Sequence, residues 1–381
     1  MDRTEQVLLE AIQKSIWGAD IAFPSDTDWK VVLKEAEDQA VLGLVVGAAP
    51  ETVRAEWNGR ASTVTATFIR ILHCQTQLCA LLRANGVPSV ILKGMAAAIY
   101  YPNPSQRSMG DVDFLVPVDD VARTKTLLSE NGYEVEDDPR YLRHMHVHKD
   151  GILFELHRKF SSEGVDVERY VVEGMAAIET GRVLGSEFPM LPKLANGIVL
   201  LGHMVQHLKS GLGLRQVIDW MMYVHSALSD AFWTEQFQQA ARDVGLEKIA
   251  ITATQMCKMY LGLPDRIDWC ASADPELCEE LMESLLSSGN FDRKRGKGSA
   301  VEAVTANVTR KGLFRYLQEA GEYNWKAYRT HKWLKPFAWI YQICRYAKQG
   351  LTVRRKGIRL KENMDRGRRR SDLLKKLGIG K

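Results

Sequence analysis

Apolar residues recur at helical spacing through the first 85 residues of the chain. In the first segment, one helical face carries Val7, Leu8, Ala11, Ile12 and Ile16. A second helix is predicted from Trp29 to about Leu42, because Ser25–Asp28 is a suitable capping run before it. A third is predicted over Val53–Ala84, where Asn85-Gly86 ends it. The pattern therefore indicates an N-terminal helical region over residues 1–85.

Short apolar runs separated by turn residues replace the helical pattern over residues 86–192. Strands are predicted at Val87–Leu92, Asp111–Val116, Tyr133–Glu136, His144–His148 and Ile152–His157. A helix over Val118–Glu130 separates the second strand from the third, and Lys149-Asp150-Gly151 is typical of a hairpin turn. Strands mixed with helices predict a small α/β domain here.

Helical spacing returns after Pro192. Helices are predicted over residues 194–209, 213–228, 231–245 and 247–262. The glycine-rich, basic run Ser287–Ser299 is predicted to be a mobile loop. We therefore expect an α+β protein in which a small mixed-sheet domain is followed by a helical domain over 193–330 and a tail over 331–381. That helical domain is expected to form the other wall of a cleft.

Charge is distributed unevenly along the chain. Residues 345–381 carry 14 Lys and Arg against 3 Asp and Glu, whereas the preceding residues carry 37 against 44. The stretch His331–Tyr341 also interleaves aromatic and cationic residues, which suits nucleic-acid stacking or an interfacial helix, although packing on the body of the protein is the simpler explanation. The tail after Gly350, predicted to be partly disordered, is expected to contact nucleic acid or an anionic membrane surface.

No apolar run is long enough for a transmembrane helix, and the charged first ten residues do not resemble a signal peptide. The six cysteines are scattered and fit no zinc template, which is typical of free thiols in a reducing compartment. We expect a cytoplasmic protein, with peripheral binding at the inner membrane face as an option for the tail.

Two carboxylates stand at alternate positions of the second predicted strand, at Asp111 and Asp113. Residues i and i+2 of a strand point to the same face, so the two acids lie side by side and repel each other unless a cation joins them. Glu155 supplies a third acid on another apolar strand. Three acids on neighbouring strands can hold two divalent metal ions for phosphoryl displacement. The competing interpretation of the pair alone is a solvated strand face.

Basic residues precede the acid pair. Lys93-Gly94 lies where a strand meets a helix, a junction at which free backbone N–H groups and a closely approaching glycine favour phosphate binding. Arg107 stands four residues before Asp111 and is placed to bind a triphosphate bidentately. The competing interpretation of Lys93 and Arg107 is an ordinary surface charge.

The segment ILKGMAAAIYYPNPSQRSMGDVDFLV, Ile91–Val116, resembles the signature of the uncharacterised nucleotidyltransferase family found in bacteria, within the DNA polymerase beta-like superfamily. Glu155-Leu156-His157 matches its later acid-Leu-His strand, and a weaker similarity continues through Leu201–Tyr223. Met95 follows Gly94 where the superfamily usually has a serine.

This resemblance implies a small mixed sheet, a nucleoside triphosphate donor, and Mg²⁺ (or Mn²⁺) held by Asp111, Asp113 and Glu155. The implied reaction moves a nucleoside monophosphate to an acceptor hydroxyl that the sequence does not identify. His157 is expected either to orient a phosphate or substrate, or to pack. The rival hypothesis is a non-catalytic module of the same fold with a regulatory role.

The remaining polar candidates each have a simpler structural explanation. His203 and His207 are one helical turn apart, which favours packing or hydrogen bonding over substrate contact. Arg215 and Asp219 have the spacing of an intrahelical ion pair, as predicted here. His144, His146 and His148 share one strand face; it can bind metal, but an exposed face is the favoured interpretation. 

Overall fold

The computed structural model describes residues 1–136, 144–160, 166–209, 211–290, 293–294, 299–355 and 360–379. These fall into two compact units, Met1–Lys294 and Arg295–Lys381. The sequence predicted the last division at 330/331, so the second unit begins earlier in the chain than expected.

The chain begins with helices, as the apolar spacing predicted. They are α1 (Arg3–Trp17), α2 (Trp29–Asp38), α3 (Leu42–Val45) and α4 (Glu51–Ala84). The predicted apolar stripe of α1 is buried, and the Asp2 carboxylate caps its first turn by accepting from the Glu5 amide. The Asp28 carboxylate caps α2 in the same way, within the predicted capping run.

Seven strands form one mixed sheet. They are β1 (Val90–Leu92), β2 (Val112–Leu115), β3 (Glu134–Glu136), β4 (His144–Lys149), β5 (Ile152–His157), β6 (Glu179–Val183) and β7 (Ser186–Met190), in the order β3-β4-β5-β2-β1-β7-β6. Strand β2 pairs antiparallel with β1 and parallel with β5. The last two strands and their hairpin turn were not predicted. The mixed sheet of the expected α+β fold is confirmed.

The central strands have one apolar face and one polar face. The apolar side chains of these strands share a hydrophobic core with the C-terminal half of α4. The strand residues in this core include Val112, Phe114, Met145, Phe154 and Leu156. Because successive side chains of a strand alternate between faces, Asp113, Glu155 and His157 share the other face. Burial of the apolar face therefore fixes the register that gathers the polar residues.

Further helices connect and follow the strands. They are α5 (Gly94–Ala98), α6 (Val121–Glu130), α7 (Glu168–Met175), α8 (Lys193–Leu208), α9 (Leu214–Ala227), α10 (Asp230–Phe232), α11 (Gln238–Asp243), α12 (Glu247–Leu261) and α13 (Pro275–Ser288). The four helices predicted after Pro192 are present, with the third divided by a π-helical turn over Trp233–Phe237. Helices α7 and α13 were not predicted.

The N-terminal helices pack on the helices that follow the sheet. The Trp17 Nε1–H donates to the Leu261 carbonyl at 2.7 Å, and the Gln13 side-chain amide donates to the Tyr260 carbonyl at 3.0 Å. Gln39 likewise donates to the Leu286 carbonyl at 3.3 Å. The predicted helical region 1–85 therefore meets the part of region 193–330 that belongs to the first unit.

The second unit contains α14 (Ser299–Lys311), α15 (Leu313–Asn324), α16 (Lys326–Thr330), α17 (Ala338–Arg355) and α18 (Leu360–Lys376). Arg370 on α18 forms a buried ion pair with Glu302 on α14 at 3.1 Å. The tail after Gly350 was predicted to be partly disordered; its residues Leu360–Lys376 form α18, while residues 356–359 and 380–381 lie outside the described residues. Within the described part of the chain, no helix combines the length and apolarity needed to cross a bilayer.

The predicted mobile loop Ser287–Ser299 is described only in part. Ser287 and Ser288 are the last residues of α13, and Ser299 is the first of α14. Residues 291–292 and 295–298 lie outside the described residues, so the prediction stays untested there.

Candidate functional site

The parallel pairing of β2 with β5 brings the three predicted acids to one region. Asp113 lies in β2 directly beside Glu155 in β5, and Asp111 immediately precedes β2. Asp113 is buried, whereas Asp111 and Glu155 are half-buried. All three line one cavity with a volume of about 180 Å³. The structure thus brings together the carboxylates that the sequence selected.

Lys93 occupies a strained turn at the end of β1. Its backbone has φ 49° and ψ −124°, a left-handed conformation that side-chain-bearing residues rarely adopt. Such strain costs about 1–3 kcal/mol and persists where the surrounding structure enforces it. The turn directs the Lys93 ammonium onto the Asp113 carboxylate, with Nζ 2.5 Å from Oδ1. Lys93, predicted as a phosphate ligand, is therefore the counterion of the acids in this structure.

Gly94 begins α5 directly after this turn. A Cβ atom at Gly94 would lie 3.1 Å from the Cε atom of Met109, which comes from the loop before β2. Both residues line the cavity. Glycine therefore allows the β1 turn and that loop to approach closely without displacing the Met109 side chain.

His157 lies beside the acids and is buried. Its Nε2 is 2.8 Å from the Asp113 Oδ1 and 3.5 Å from the Glu155 Oε2. Its Nδ1 has no hydrogen-bond partner among the described residues. His157 was predicted to contact a nucleotide or to pack; here its polar contacts are with the carboxylates.

Burial and the two neighbouring cations act in opposite directions on Asp113. Burial favours the neutral acid, but the Lys93 ammonium and the His157 hydrogen bond outweigh it and hold the pKa of Asp113 well below its usual range. Burial also opposes the charged forms of Lys93 and His157, yet the facing carboxylates raise the pKa of each. These contacts therefore favour the charged forms of Asp113, Lys93 and His157.

The pKa of Asp111 is shifted in the opposite direction, above its usual value. Burial and the nearby Asp113 charge raise its pKa to about 6, although Lys93 and Arg215 partly offset them. Two adjacent acids with such different environments are a common feature of functional sites.

Strand β4 adds histidines that the sequence interpretation placed on an exposed face. Antiparallel pairing sets His144 beside His157 and His146 beside Glu155. The His144 Nε2 is 3.6 Å and the His146 Nε2 3.8 Å from the Glu155 Oε1. All three histidines are half-buried, so the favoured interpretation of an exposed face is wrong; the His148 side chain, at 40%, is the most exposed of the three. The alternation of the histidines in the sequence placed them on one face of β4. The sequence did not show that β4 pairs with β5, beside Glu155.

Arg107 was predicted to bind a triphosphate, but in the structure its guanidinium is bound to a buried carboxylate. Its Nε and Nη2 donate to the two carboxylate oxygens of Asp219, both at 2.7 Å, and Tyr101 donates to the same carboxylate at 2.7 Å. Arg107 and Asp219 are buried, although Arg107 still lines the cavity. The pair fastens the loop before β2 to α9.

The expected partner of Asp219 was Arg215, one helical turn earlier. The structure instead gives Asp219 the guanidinium of Arg107, while Arg215 Nη1 donates to the Ser108 carbonyl at 3.2 Å. Arg215 lines the cavity beside the acids. Both arginines therefore attach the loop before β2 to α9.

Helix α8 forms the opposite side of the cavity, through His203, Gln206 and His207. The Nε2 atoms of His203 and His207 are 2.8 Å apart, as expected for hydrogen bonding within a helix. Burial lowers the pKa of His203 well below its usual value and that of His207 to about 3. Both are neutral at physiological pH.

A second cavity, about 340 Å³ in volume, shares Met109, Gly110 and Arg215 with the first. Its other charged lining residues are Glu37, Arg60 and Arg293. Arg60 pairs with Glu37 at 2.9 Å. Three guanidinium groups against one carboxylate give this cavity a positive balance.

Comparison with known proteins gave two positive findings and one negative. The model of the family described as "Uncharacterised nucleotidyltransferase" matches residues 25–262, which contain all seven strands. An antigenic nucleotidyltransferase-like protein from Paracoccidioides brasiliensis has a crystal structure similar to part of this chain, with 14% identity and a TM-score of 0.33. That similarity covers 53% of this chain and 95% of the other. None of the curated proteins matches significantly.

Proposed function

Because the chain belongs to the uncharacterised nucleotidyltransferase family, we propose that it transfers a nucleoside monophosphate from a nucleoside triphosphate to an acceptor hydroxyl. The observation that carries this proposal is the convergence of Asp111, Asp113 and Glu155 on one cavity. The acceptor oxygen forms a bond to the α-phosphorus as the bond to the bridging oxygen breaks, and pyrophosphate leaves.

The donor set fits Mg²⁺ or Mn²⁺, because carboxylate oxygens are the ligands that these hard cations prefer. Asp111, Asp113 and Glu155 would hold the metal. When bound, it supplies charge neutralisation at the phosphates and polarisation of the reacting oxygens. The contact between the Lys93 ammonium and Asp113 supports this assignment, because it places one positive charge beside the acids.

The protein's own groups position the reactants. Lys93, Gly94 and Arg107 line the cavity and are assigned to the phosphates, with Arg107 oriented by Asp219. His157 is assigned to orienting Asp113, to which it is hydrogen-bonded. Positioning and charge stabilisation contribute most of the rate enhancement in phosphoryl transfer, so little further chemistry is required.

The proton of the acceptor hydroxyl is assigned to the Glu155 carboxylate. Asp113 is a weak base because Lys93 and His157 hold its pKa low. Glu155 faces the same cavity and carries no lysine contact of that kind among the described residues.

The two adjoining cavities together provide the space that donor and acceptor need. Ligand sites usually measure about 300–1,000 Å³, so the 180 Å³ cavity alone is too small. The 340 Å³ cavity beside it extends the site, and its positive balance favours an acceptor that carries phosphate or carboxylate.

The position of the label in the donor tests the reaction type. Incubation with a cell extract and each nucleoside triphosphate labelled at the α-phosphate should label an acceptor, whereas γ-label should leave as pyrophosphate. Transfer of the γ-label instead would identify a kinase, and tight nucleotide binding with no transfer would favour the non-catalytic module.

A further inference from the structure

The hairpin formed by β4 and β5 places three imidazoles near the Glu155 carboxylate, and two of them, His144 and His157, form a candidate metal-binding group with it. One ligand atom from each of His144, Glu155 and His157 can be chosen so that all three lie within 4.8 Å of one another. The His144 Nε2 is 3.6 Å from Glu155 Oε1, and the His157 Nε2 is 3.5 Å from Glu155 Oε2. All three are at least half-buried.

These separations match those between the ligands of a tetrahedral metal ion. Imidazole nitrogen and carboxylate oxygen bind Zn²⁺ at about 2.0–2.2 Å, so tetrahedral ligand atoms lie roughly 3.3–3.6 Å from each other. The two separations, 3.5 and 3.6 Å, fall in that interval, and each involves a different oxygen of Glu155. A hydrogen bond would bring the same atoms closer, to about 2.7–3.2 Å.

His157 would act as a ligand through the nitrogen that faces the carboxylates. Its Nε2 lies 2.8 Å from Asp113 and 3.5 Å from Glu155. A metal-bound imidazole nitrogen carries no proton, so the ion would replace the proton that Nε2 shares with Asp113. It would then lie between Nε2 and the Glu155 carboxylate.

We infer that His144, Glu155 and His157 form a binding site for a divalent transition metal, of which Zn²⁺ is the best fit. Imidazole ligands suit Zn²⁺, whereas Mg²⁺ requires oxygen ligands in octahedral geometry. This site does not use Asp111 or Asp113 as ligands. It shares Glu155 with the proposed acid cluster. The inference rests on the proposed function only for what the ion does: it would lie beside the nucleotide site.

The same strand provides a matched control. His148 is on the same face of β4 as His144 but is 40% exposed and lies 3.7 Å from Glu136 instead of Glu155. His148→Gln should therefore leave metal binding unchanged, whereas His144→Gln removes a ligand. Both substitutions are of the same type on the same strand, so general effects on folding can be compared directly.

The test is calorimetric titration of the chelator-treated full chain with Zn²⁺ and, separately, with Mg²⁺, without nucleotide. Co²⁺ then serves as a spectroscopic probe, because its d–d absorption reports tetrahedral coordination. We expect one Zn²⁺ per chain, at least tenfold weaker binding in His144→Gln, and wild-type binding in His148→Gln. Thermal unfolding of each variant checks that the fold is intact.

Equal affinity for Zn²⁺ and Mg²⁺, or unchanged Zn²⁺ binding in His144→Gln, would overturn the inference. Its failure is distinguishable from failure of the proposed function. A wild-type chain that transfers nucleotide with Mg²⁺ but binds no Zn²⁺ would refute only this inference. Zn²⁺ binding to a chain that transfers no nucleotide would refute only the proposed function.

Discussion

Replacing Asp219 by Asn tests whether Arg107 is a structural clamp. The side chains of Arg107 and Asp219 are each 4% exposed and make two charge-assisted hydrogen bonds of 2.7 Å. Tyr101 adds a third bond to Asp219. Asn keeps the shape of the side chain but removes its charge, leaving the guanidinium buried without its counterion.

Removing one partner of a buried ion pair costs about 3–5 kcal/mol, because the other charge stays desolvated. That is a large share of the about 5–15 kcal/mol by which proteins are normally stable. Arg107 is buried, but the Asp219 carboxylate holds its pKa above the ordinary value of a guanidinium, so the side chain stays charged. We therefore expect Asp219→Asn to lower the unfolding midpoint strongly.

Urea unfolding followed by tryptophan fluorescence is the assay, since buried Trp220 is adjacent to Asp219 on α9. The matched control is Glu173→Gln, which breaks the exposed pair with Arg169 (68% and 58% exposed). Exposed pairs contribute about 0–1 kcal/mol. If Asp219→Asn is no more destabilising than this control, the assignment of the Arg107–Asp219 pair as a structural clamp is wrong.

Three further predictions concern other parts of the chain. Gly197→Ala should destabilise by about 1–3 kcal/mol in thermal unfolding, because a Cβ there would lie 2.3 Å from the Tyr223 ring; unchanged stability would contradict the α8–α9 packing. The unfolded state of the wild type binds a proton at His207 near pH 6.5, but the folded state only near pH 3, so stability falls as pH decreases through that window. His207→Gln should therefore make this decline shallower by about 1.4 kcal/mol per pH unit, and an identical slope would refute the buried neutral imidazole. The basic residues 345–381 should make the chain cosediment with anionic, but not neutral, vesicles at low salt; no binding would exclude a membrane role.

Local patterns were sufficient where local physics decides the structure. The period of the apolar residues located α1, α4, α8 and α9, and alternation in β2 located the acid pair. The hairpin between β6 and β7 was missed because its turn, Leu184-Gly185, has positive φ at a leucine in place of the usual Asn or Asp. That backbone is set by the sheet and not by turn propensity.

Pairings between distant segments were beyond the reach of the sequence. Arg107 and Asp219 are 112 residues apart, and a helical i,i+4 rule favoured the nearer Arg215 instead. His144 joins Glu155 through the register of β4 and β5, although both strands were predicted. The predicted strands showed which side chains share a face within one strand. Only the pairing of the strands shows which of these faces lie next to each other.

Metal-dependent transfer from an α-labelled nucleoside triphosphate, compared between the wild type, Asp113→Asn and Asp119→Asn, tests whether the three carboxylates form a catalytic metal site. Asp119 is an exposed acid six residues along the chain and serves as the matched control. We expect Mg²⁺- or Mn²⁺-dependent labelling by the wild type and Asp119→Asn, and none by a folded Asp113→Asn. Labelling at the wild-type rate by Asp113→Asn would mean that Asp113 is no metal ligand of the reaction.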